Sequence, residues 1–403
     1  MRLFFKKKQS LFYYAYFFVV FVYLAMLRLN GMPMALTYGG YGVCIVLTLL
    51  LLLSKGLNAE KIKIDVLLLC FFMCYYFVSS VVYVAFSSSV TTMEWIFKDW
   101  SYSLLPPIYY VLIRSTKFNI NKDGFLKLNL YGIVILDIVS LILFLFPSSS
   151  FSRMFNQEMI KGDAYAYALN GIAGVIVTGF LNVLGLSICL LSSIQIKQPI
   201  KIAISVLFII CAYLTGQRTP LGGIVLVLIF LLYKYKFKGV FVLAILIGII
   251  SAIIGRVTLK VDNVSVIDNM TERTKGRFNS VKEGDSGRDD QYYVSDEFAF
   301  GPFIGEGVGK FSPENPESKH SMQDAMIFRL YNEMGMAGLV PFILFFFVIF
   351  ERARKDKNGF MMVVILYIFI ANYFNRVLFV APISILPYSL LAMMNWNKQI
   401  SYS

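Results

Sequence analysis

The chain has 403 residues, of which 58% are hydrophobic and 15% are charged, and its mean hydropathy is +0.69. Soluble globular proteins contain about 45–50% apolar residues, so this composition excludes a soluble globular protein and indicates a protein of the lipid bilayer. The formal net charge is +13, but the lysines and arginines cluster in short segments between apolar runs, so the charge follows membrane topology and argues against a nucleic-acid partner.

The apolar runs predict an all-α protein that crosses the membrane about twelve times, because a hydrocarbon core of about 30 Å requires a helix of about 20 apolar residues. The first run follows Lys6, Lys7 and Lys8 and lacks a small-residue cleavage site, so we expect it to be retained as a span. The predicted spans are 10–28, 34–53, 64–86, 101–113, 128–147, 171–193, 202–215, 220–233, 239–255, 337–350, 360–376 and 381–396.

The distribution of positive charge predicts the orientation. With a cytoplasmic N-terminus, the cytoplasmic segments hold 21 Lys and Arg, against 6 in the short segments on the opposite side. Long loops are largely exempt from this comparison, and residues 256–336 form one long loop with 14 of the 24 acidic residues. We therefore expect cytoplasmic termini, and three regions: spans one to nine in 1–255, an extracytoplasmic loop in 256–336, and spans ten to twelve with a cytoplasmic tail in 337–403.

The second part of this loop has a helical pattern. Apolar residues recur at every fourth position from Met322 to Met334, which predicts an amphipathic helix that lies on or dips into the membrane surface. Gly335 and Gly338 then predict a turn into the tenth span. The glycine-rich residues 301–309 lack the strand and helix that flank a nucleotide-binding loop, so they predict a tight backbone turn.

His320 is the only histidine of the chain, and it lies in the polar loop, where packing does not require it. A neutral imidazole is a suitable base for a sugar hydroxyl, and Asp324, one helical turn later, would orient the ring. The alternative is a structural, hydrogen-bonding histidine. Tyr292, Tyr293 and Tyr331 are candidates for stacking on sugars, with interfacial anchoring as the alternative.

Two arginines on the predicted outer side are candidate ligands of a diphosphate. Arg218 lies in a very short turn between spans seven and eight, which would hold its guanidinium at a fixed depth for bidentate binding; the alternative is contact with lipid headgroups. Arg288 lies in the loop, where the alternative is a solvated charge paired with a neighbouring aspartate. Arg376, near the outer end of span eleven, is a reserve phosphate ligand.

Adjacent carboxylates at Asp289 and Asp290 could suggest a divalent cation, but no third ligand follows at a recognisable spacing, so we expect no metal and no other cofactor. Polar residues inside the spans should face the bundle interior, because lipid exposure is costly. These are Asp137, Asn170, Asn182, Asn372, Asn375 and Arg376.

The order of these motifs resembles the O-antigen polymerase and O-antigen ligase superfamily of bacterial inner-membrane enzymes. The resemblance covers spans seven to ten and rests on the segments Gly216-Gln217-Arg218, Gly287-Arg288, Pro302 to Gly309, His320, and Glu333 to Leu339.

This resemblance implies a metal-independent membrane glycosyltransferase of the C type with a periplasmic active site. Arg218 and Arg288 would then bind the diphosphate of an undecaprenyl-diphosphate-linked donor, and His320 would serve the acceptor hydroxyl. Ligases usually follow the histidine with asparagine, whereas Ser321 follows here, so a polymerase is favoured over a ligase.

The expected partners are the lipid-linked donor and acceptor glycans, membrane lipids and a chain-length regulator protein. A flippase for the same lipid-linked repeat units is an alternative from another class. A flippase requires a central cavity with charged residues deep within the spans, whereas the candidate functional charges of this chain are expected at the outer rim. A scaffold of a polysaccharide export complex is a third alternative, for which His320 would be dispensable.

Overall fold

A computed structural model of the chain describes residues 7–58, 62–86, 96, 99–146, 149–155, 169, 172–235, 260–261, 264–265, 298, 300–311, 326–374, 378 and 382–394. These residues are mainly helical, as the composition predicts. The helices are α1 (Lys7–Phe17), continued by a π-helical segment (Phe18–Val22) into α2 (Tyr23–Leu27), then α3 (Met34–Leu53), α4 (Ile64–Phe86), α5 (Leu105–Ser115), α6 (Lys122–Leu145), α7 (Ser150–Arg153), α8 (Val175–Leu191), α9 (Gln198–Leu214), α10 (Arg218–Tyr235), α11 (Gly301–Ile304), α12 (Met326–Lys355), α13 (Gly359–Phe374) and α14 (Ile385–Met394).

The described strands are only a two-stranded antiparallel pair, β1 (Lys260–Val261) and β2 (Val264–Ser265), at the start of the predicted polar loop.

Within the described residues, five helical stretches are long and apolar enough to cross a membrane. A helix satisfies its own backbone hydrogen bonds, which is why apolar runs of this length form helices in lipid. The coarse prediction of a helical membrane protein is therefore supported by length and composition. The five stretches are Gln9–Leu27, Ala35–Leu53, Ile64–Ala85, Lys122–Leu145 and Met326–Lys355, and four shorter apolar helices are Ile176–Leu191, Gln198–Leu214, Arg218–Tyr233 and Gly359–Tyr373.

By their contacts, the residues divide into two compact units, 1–47 with 121–285 and 48–120 with 286–403. In the first unit, α8 packs against α6, α9 and α10. Glycine allows the close approach of α9, because a Cβ atom on Gly185 would lie 2.6 Å from the ring of Phe208. The three-part division by hydropathy stays a prediction.

Polar residues of the spans are enclosed, as predicted, wherever the structure describes them. Asp137 and Asn182 of the first unit are 2% and 1% exposed, and Asn372 of the second unit is 1% exposed. The amide of Asn372 donates to the carbonyl of Ile368 and accepts from the amide of Leu378. Asn170, Asn375 and Arg376 lie outside the described residues.

In the second unit, α12 packs against α4 and α13, and α14 packs against α5. At one end of this unit, Asp65 of α4 forms ion pairs of 3.2 Å with Arg114 of α5 and with Arg352 of α12. Tyr110 also donates to this carboxylate, at 2.6 Å. These contacts bring the first turn of α4 together with the last turns of α5 and α12.

We predict that Gly185→Ala lowers stability although alanine favours helices. The methyl group would overpack the contact with Phe208, which costs about 1–3 kcal/mol in a closely packed interior. Gly222→Ala is the matched control, since a Cβ atom there meets nothing within 4 Å and the helix gains about 0.5–1 kcal/mol. Thermal unfolding of both variants in detergent would measure this; equal effects would contradict the packing described.

Candidate functional site

Arg218 is the predicted catalytic residue that the structure describes. It is the first residue of α10, and three residues separate it from Leu214, where α9 ends. Gly216 in the turn has a φ of 62°, a conformation that glycine adopts without steric cost. The short turn is therefore confirmed, and Arg218 is partly exposed at its end.

Neighbouring backbone holds this turn in place. The amide of Leu169 donates to the carbonyl of Leu214 at 2.8 Å. A Cβ atom on Gly179 of α8 would lie 2.3 Å from Cγ of Pro220, so α8 packs directly against the residue two positions after Arg218. The fixed position expected for Arg218 is consistent with these contacts, while diphosphate binding stays a prediction.

The other predicted site residues lie outside the described residues: His320, Arg288, Arg376, Asp324, Tyr292 and Tyr293. Arg218 belongs to the first unit, and Arg288 and His320 belong to the sequence range of the second. Convergence of the three around one diphosphate therefore stays a prediction. Tyr331 is described; it is half-buried, and its ring meets that of Phe298 edge-on at 5.5 Å.

The glycine-rich segment before His320 forms the tight turn that its composition predicts. Gly301, Gly305, Gly307 and Gly309 all have positive φ values, between 78° and 108°. A side chain at Gly305 would also collide with α12, because its Cβ atom would lie 2.5 Å from the amide nitrogen of Gly335. Glycine at this position permits contact between the two backbones.

Helix α12 has the predicted turn at Gly335, where φ is 58° and ψ is −161°. A break in a helix leaves carbonyl groups before it without their partners. Here the amide of Glu306 donates to the carbonyl of Asn332 at 2.8 Å, and the amide of Gly307 donates to the carbonyl of Glu333 at 2.9 Å. The glycine segment thus replaces hydrogen bonds that the kink removes from the helix.

Helix α4 holds the other side of the glycine segment. The hydroxyl of Tyr75 donates to the carbonyl of Ile304 at 3.1 Å, and the amide of Val308 donates to the hydroxyl of Ser79 at 3.3 Å. Residues 301–311 of the predicted polar loop are therefore docked on two apolar helices. We call them the docked loop.

A buried charge cluster lies beneath the docked loop. Arg329 donates to Oε2 of Glu333 and to Oδ1 of Asp99, each at 3.0 Å, and its side chain is 1% exposed. The hydroxyl of Tyr76 donates to the other oxygen of Asp99 and contacts the hydroxyl of Ser103 at 3.0 Å. Each ion of the cluster is thus paired and hydrogen-bonded, which burial of charge requires.

The cluster also fixes the chain that leads to His320. The amide of Phe311, the last described residue before it, donates to Oε1 of Glu333 at 3.0 Å. In the docked loop, the buried carboxylate of Glu306 forms an ion pair with Lys310. Partial burial lowers the pKa of Lys310. Among the described residues of the cluster and the docked loop, the three carboxyl groups of Asp99, Glu306 and Glu333 thus share two cations, Arg329 and Lys310.

The first part of α12 differs from the surface helix that the sequence predicts. Met326, Leu330 and Met334 are fully buried, so the apolar stripe is confirmed at these three positions, while Met322 lies outside the described residues. Arg329 and Glu333 are buried beside it, which encloses this segment within the second unit instead of leaving a polar face in water. The sequence spacing predicts the burial of Arg329 and Glu333, because they follow Met326 by three and seven residues and therefore share its helix face.

Among the residues that the structure describes, no three His, Cys, Asp or Glu side chains form a group that could hold a metal ion. Asp289 and Asp290 lie outside the described residues. No family model matches the chain, and the search of curated proteins found no match either.

We predict that Arg329→Met destabilises the protein by roughly 3–5 kcal/mol, because it leaves two buried carboxylates without a cation. Arg354→Met is the control, since Arg354 is 60% exposed in its ion pair with Glu351 and such pairs contribute little. Chemical denaturation in detergent would measure both variants. Equal losses would show that the buried cluster does not stabilise the second unit.

Proposed function

We propose that the chain is a surface-polysaccharide polymerase of the O-antigen type. It would join undecaprenyl-diphosphate-linked repeat units at the outer face of a bacterial inner membrane, without a metal ion. The proposal includes about twelve spans, an architecture like that of C-type glycosyltransferases, and cytoplasmic termini. The growing chain on its lipid would be the donor, and one lipid-linked repeat would be the acceptor.

The observation that carries this proposal is the anchoring of the chain on both sides of His320. Nine residues before it, the amide of Phe311 is bound by Glu333. Six residues after it, Met326 begins α12 and is fully buried. A catalytic base must be held in a defined position, and the contacts of Phe311 and Met326 supply anchors on both sides of the residues that contain the sole histidine.

Pairing of the described cations supports a division of roles between the arginines and the histidine. Arg329 and Lys310 are already paired with carboxyl groups, so they are not available to an anionic diphosphate beside the docked loop, whereas a neutral sugar hydroxyl needs no free cation. Arg218 lies at the positive end of the dipole of an 18-residue helix, which stabilises an anion. The donor diphosphate would therefore lie at Arg218 and Arg288, and the acceptor at His320.

Contacts in the second unit support the proposed topology. The ends of α4, α5 and α12 that meet at Asp65 are those that the charge distribution predicts to be cytoplasmic. The docked loop contacts the other half of α4 at Ser79 and the first part of α12 at Asn332 and Glu333. This alternation agrees with an extracytoplasmic position for the loop that contains His320.

The proposed reaction is a direct displacement at the anomeric carbon. His320 takes the proton of the acceptor hydroxyl as its oxygen forms the new glycosidic bond, and Asp324 orients the imidazole. The bond from the anomeric carbon to the diphosphate oxygen breaks, and its electron pair leaves with the diphosphate. Arg218 and Arg288 stabilise the negative charge that develops there, at a membrane boundary of low dielectric constant.

We predict that His320→Ala and Arg218→Ala each lower polymer formation by about 10²-fold or more, as loss of a catalytic base or of charge stabilisation does. Purified protein would be incubated with a defined lipid-linked repeat and a chelator, and products would be separated by length. If the protein were instead a flippase, it would form no polymer in this assay, because a flippase only moves lipid-linked repeats across a bilayer.

Arg153→Ala is the matched control for Arg218→Ala, because Arg153 is an exposed arginine of the first unit on the predicted outer side. It should retain full activity. Normal polymer from folded His320→Ala protein would contradict the proposal, and transfer to a lipid A-type acceptor in place of the repeat would favour a ligase.

A further inference from the structure

Asp137 and Asn182 form a polar pair inside the first unit that the proposed reaction does not use. Asp137 lies on α6 and Asn182 on α8, and they are 2% and 1% exposed. The side-chain nitrogen of Asn182 donates to the carbonyl of Thr178 at 2.8 Å and to Oδ1 of Asp137 at 3.3 Å. An ionisable residue within a membrane helix is costly and indicates a functional site.

Two oxygens of this pair have no donor within the part of the chain that the structure describes. They are Oδ2 of Asp137 and Oδ1 of Asn182, and both are buried. The nitrogen of Asn182 faces two acceptors, which fixes the orientation of the amide and commits both its hydrogens. Two buried acceptors without a donor are costly, because each has lost its hydrogen bonds to water without gaining a replacement.

We propose that Asp137 binds a proton on Oδ2 and shares it with Oδ1 of Asn182, so that a neutral carboxylic acid and an amide join α6 to α8. One proton supplies the missing donor for Asn182 and makes Oδ2 a donor as well. It also removes a negative charge from the membrane interior. A proton needs no cavity, which suits two oxygens that are already enclosed.

The surroundings of the pair contain the thiol of Cys211 on α9, which interacts electrostatically with Asp137. Asn182 is the side chain that hydrogen-bonds to the carboxyl group. Neither neighbour is a cation that could compensate a carboxylate. The site would therefore hold its proton under conditions in which an exposed aspartate is ionised.

The proton site is connected to the Arg218 turn through α8. Gly179, which packs against Pro220, precedes Asn182 by three residues on the same helix. Loss of the proton would leave a charged carboxylate between α6 and α8 and would disturb the helix that supports the turn. The proton would thus stabilise the packing of α6 against α8 and, through α8, the turn that contains Arg218.

Infrared spectroscopy tests the proposal directly. At pH 7, purified protein should show the carbonyl stretch of a protonated carboxylic acid that shifts in D₂O, disappears in Asp137→Asn and changes frequency in Asn182→Ala. If Asp137→Asn does not accumulate, labelling aspartate with ¹³C in the wild-type protein would show that the band belongs to an aspartate, and its frequency change in Asn182→Ala would assign it to Asp137. An absence of the band from wild-type protein would overturn the proposal.

Stability gives a second readout that does not depend on enzyme activity. Asp137→Asn keeps a neutral donor and acceptor, so it should unfold near the wild-type temperature at pH 7, whereas Asp137→Ala should unfold at a clearly lower temperature. Because the folded state holds a proton that the unfolded state releases, raising the pH should lower the wild-type unfolding temperature more than that of Asp137→Asn.

Cys211→Ala is the control and should retain the wild-type pH dependence of the unfolding temperature. This result would show that the carboxyl group of Asp137, and not the thiol of Cys211, causes that dependence. Stabilisation by sodium ions that requires Asp137, without a protonated-acid band, would identify a cation site instead and would also overturn the proposal.

Discussion

The second unit depends on one buried guanidinium. Arg329 lies between Asp99 and Glu333, and Glu333 uses its remaining oxygen to bind the amide of Phe311. Such a cluster is costly to desolvate and is stable only when every charge is paired and hydrogen-bonded. The cluster fixes the position of two segments, because Arg329 joins helix α12 to Asp99 and its partner Glu333 binds the chain at Phe311. A hydrophobic cluster would bury the helix equally well but would not bind the polar backbone of the docked loop.

The docked loop and the kink of α12 depend on each other. Gly335 interrupts the helix and frees carbonyl groups, and the docked loop has amides that would otherwise lack acceptors away from water. Their pairing at Asn332 and Glu333 satisfies both sets. The contact requires glycine on each side, at Gly305 and Gly335, because the two backbones are too close for a side chain. A polar loop can thereby lie against apolar helices, where unsatisfied backbone groups would be excluded.

The sequence was sufficient to predict the features that depend on local pattern. Apolar run length predicted helices, the cost of lipid exposure predicted the burial of Asp137, Asn182 and Asn372, and glycine predicted the turn at 335. Arg329 lies within the range 256–336 predicted as a polar loop, although its spacing places it on the buried face of α12. Its pairing with Asp99 joins residues 230 positions apart, and no local periodicity encodes such a contact. Arg288 and His320 lie outside the described residues, so their roles rest on chemistry and on motif order.

Hydrogen–deuterium exchange of residues 301–311 tests the central claim most directly. The amides of Glu306, Gly307 and Phe311 should exchange slowly in the purified wild-type protein, because each donates to α12. In Glu333→Ala the exchange of this segment should become fast, while peptides from α8 in the first unit should keep their wild-type rates. Fast exchange in the wild-type protein, or protection that persists without the Glu333 carboxylate, would contradict an account in which the buried charge cluster holds the docked loop.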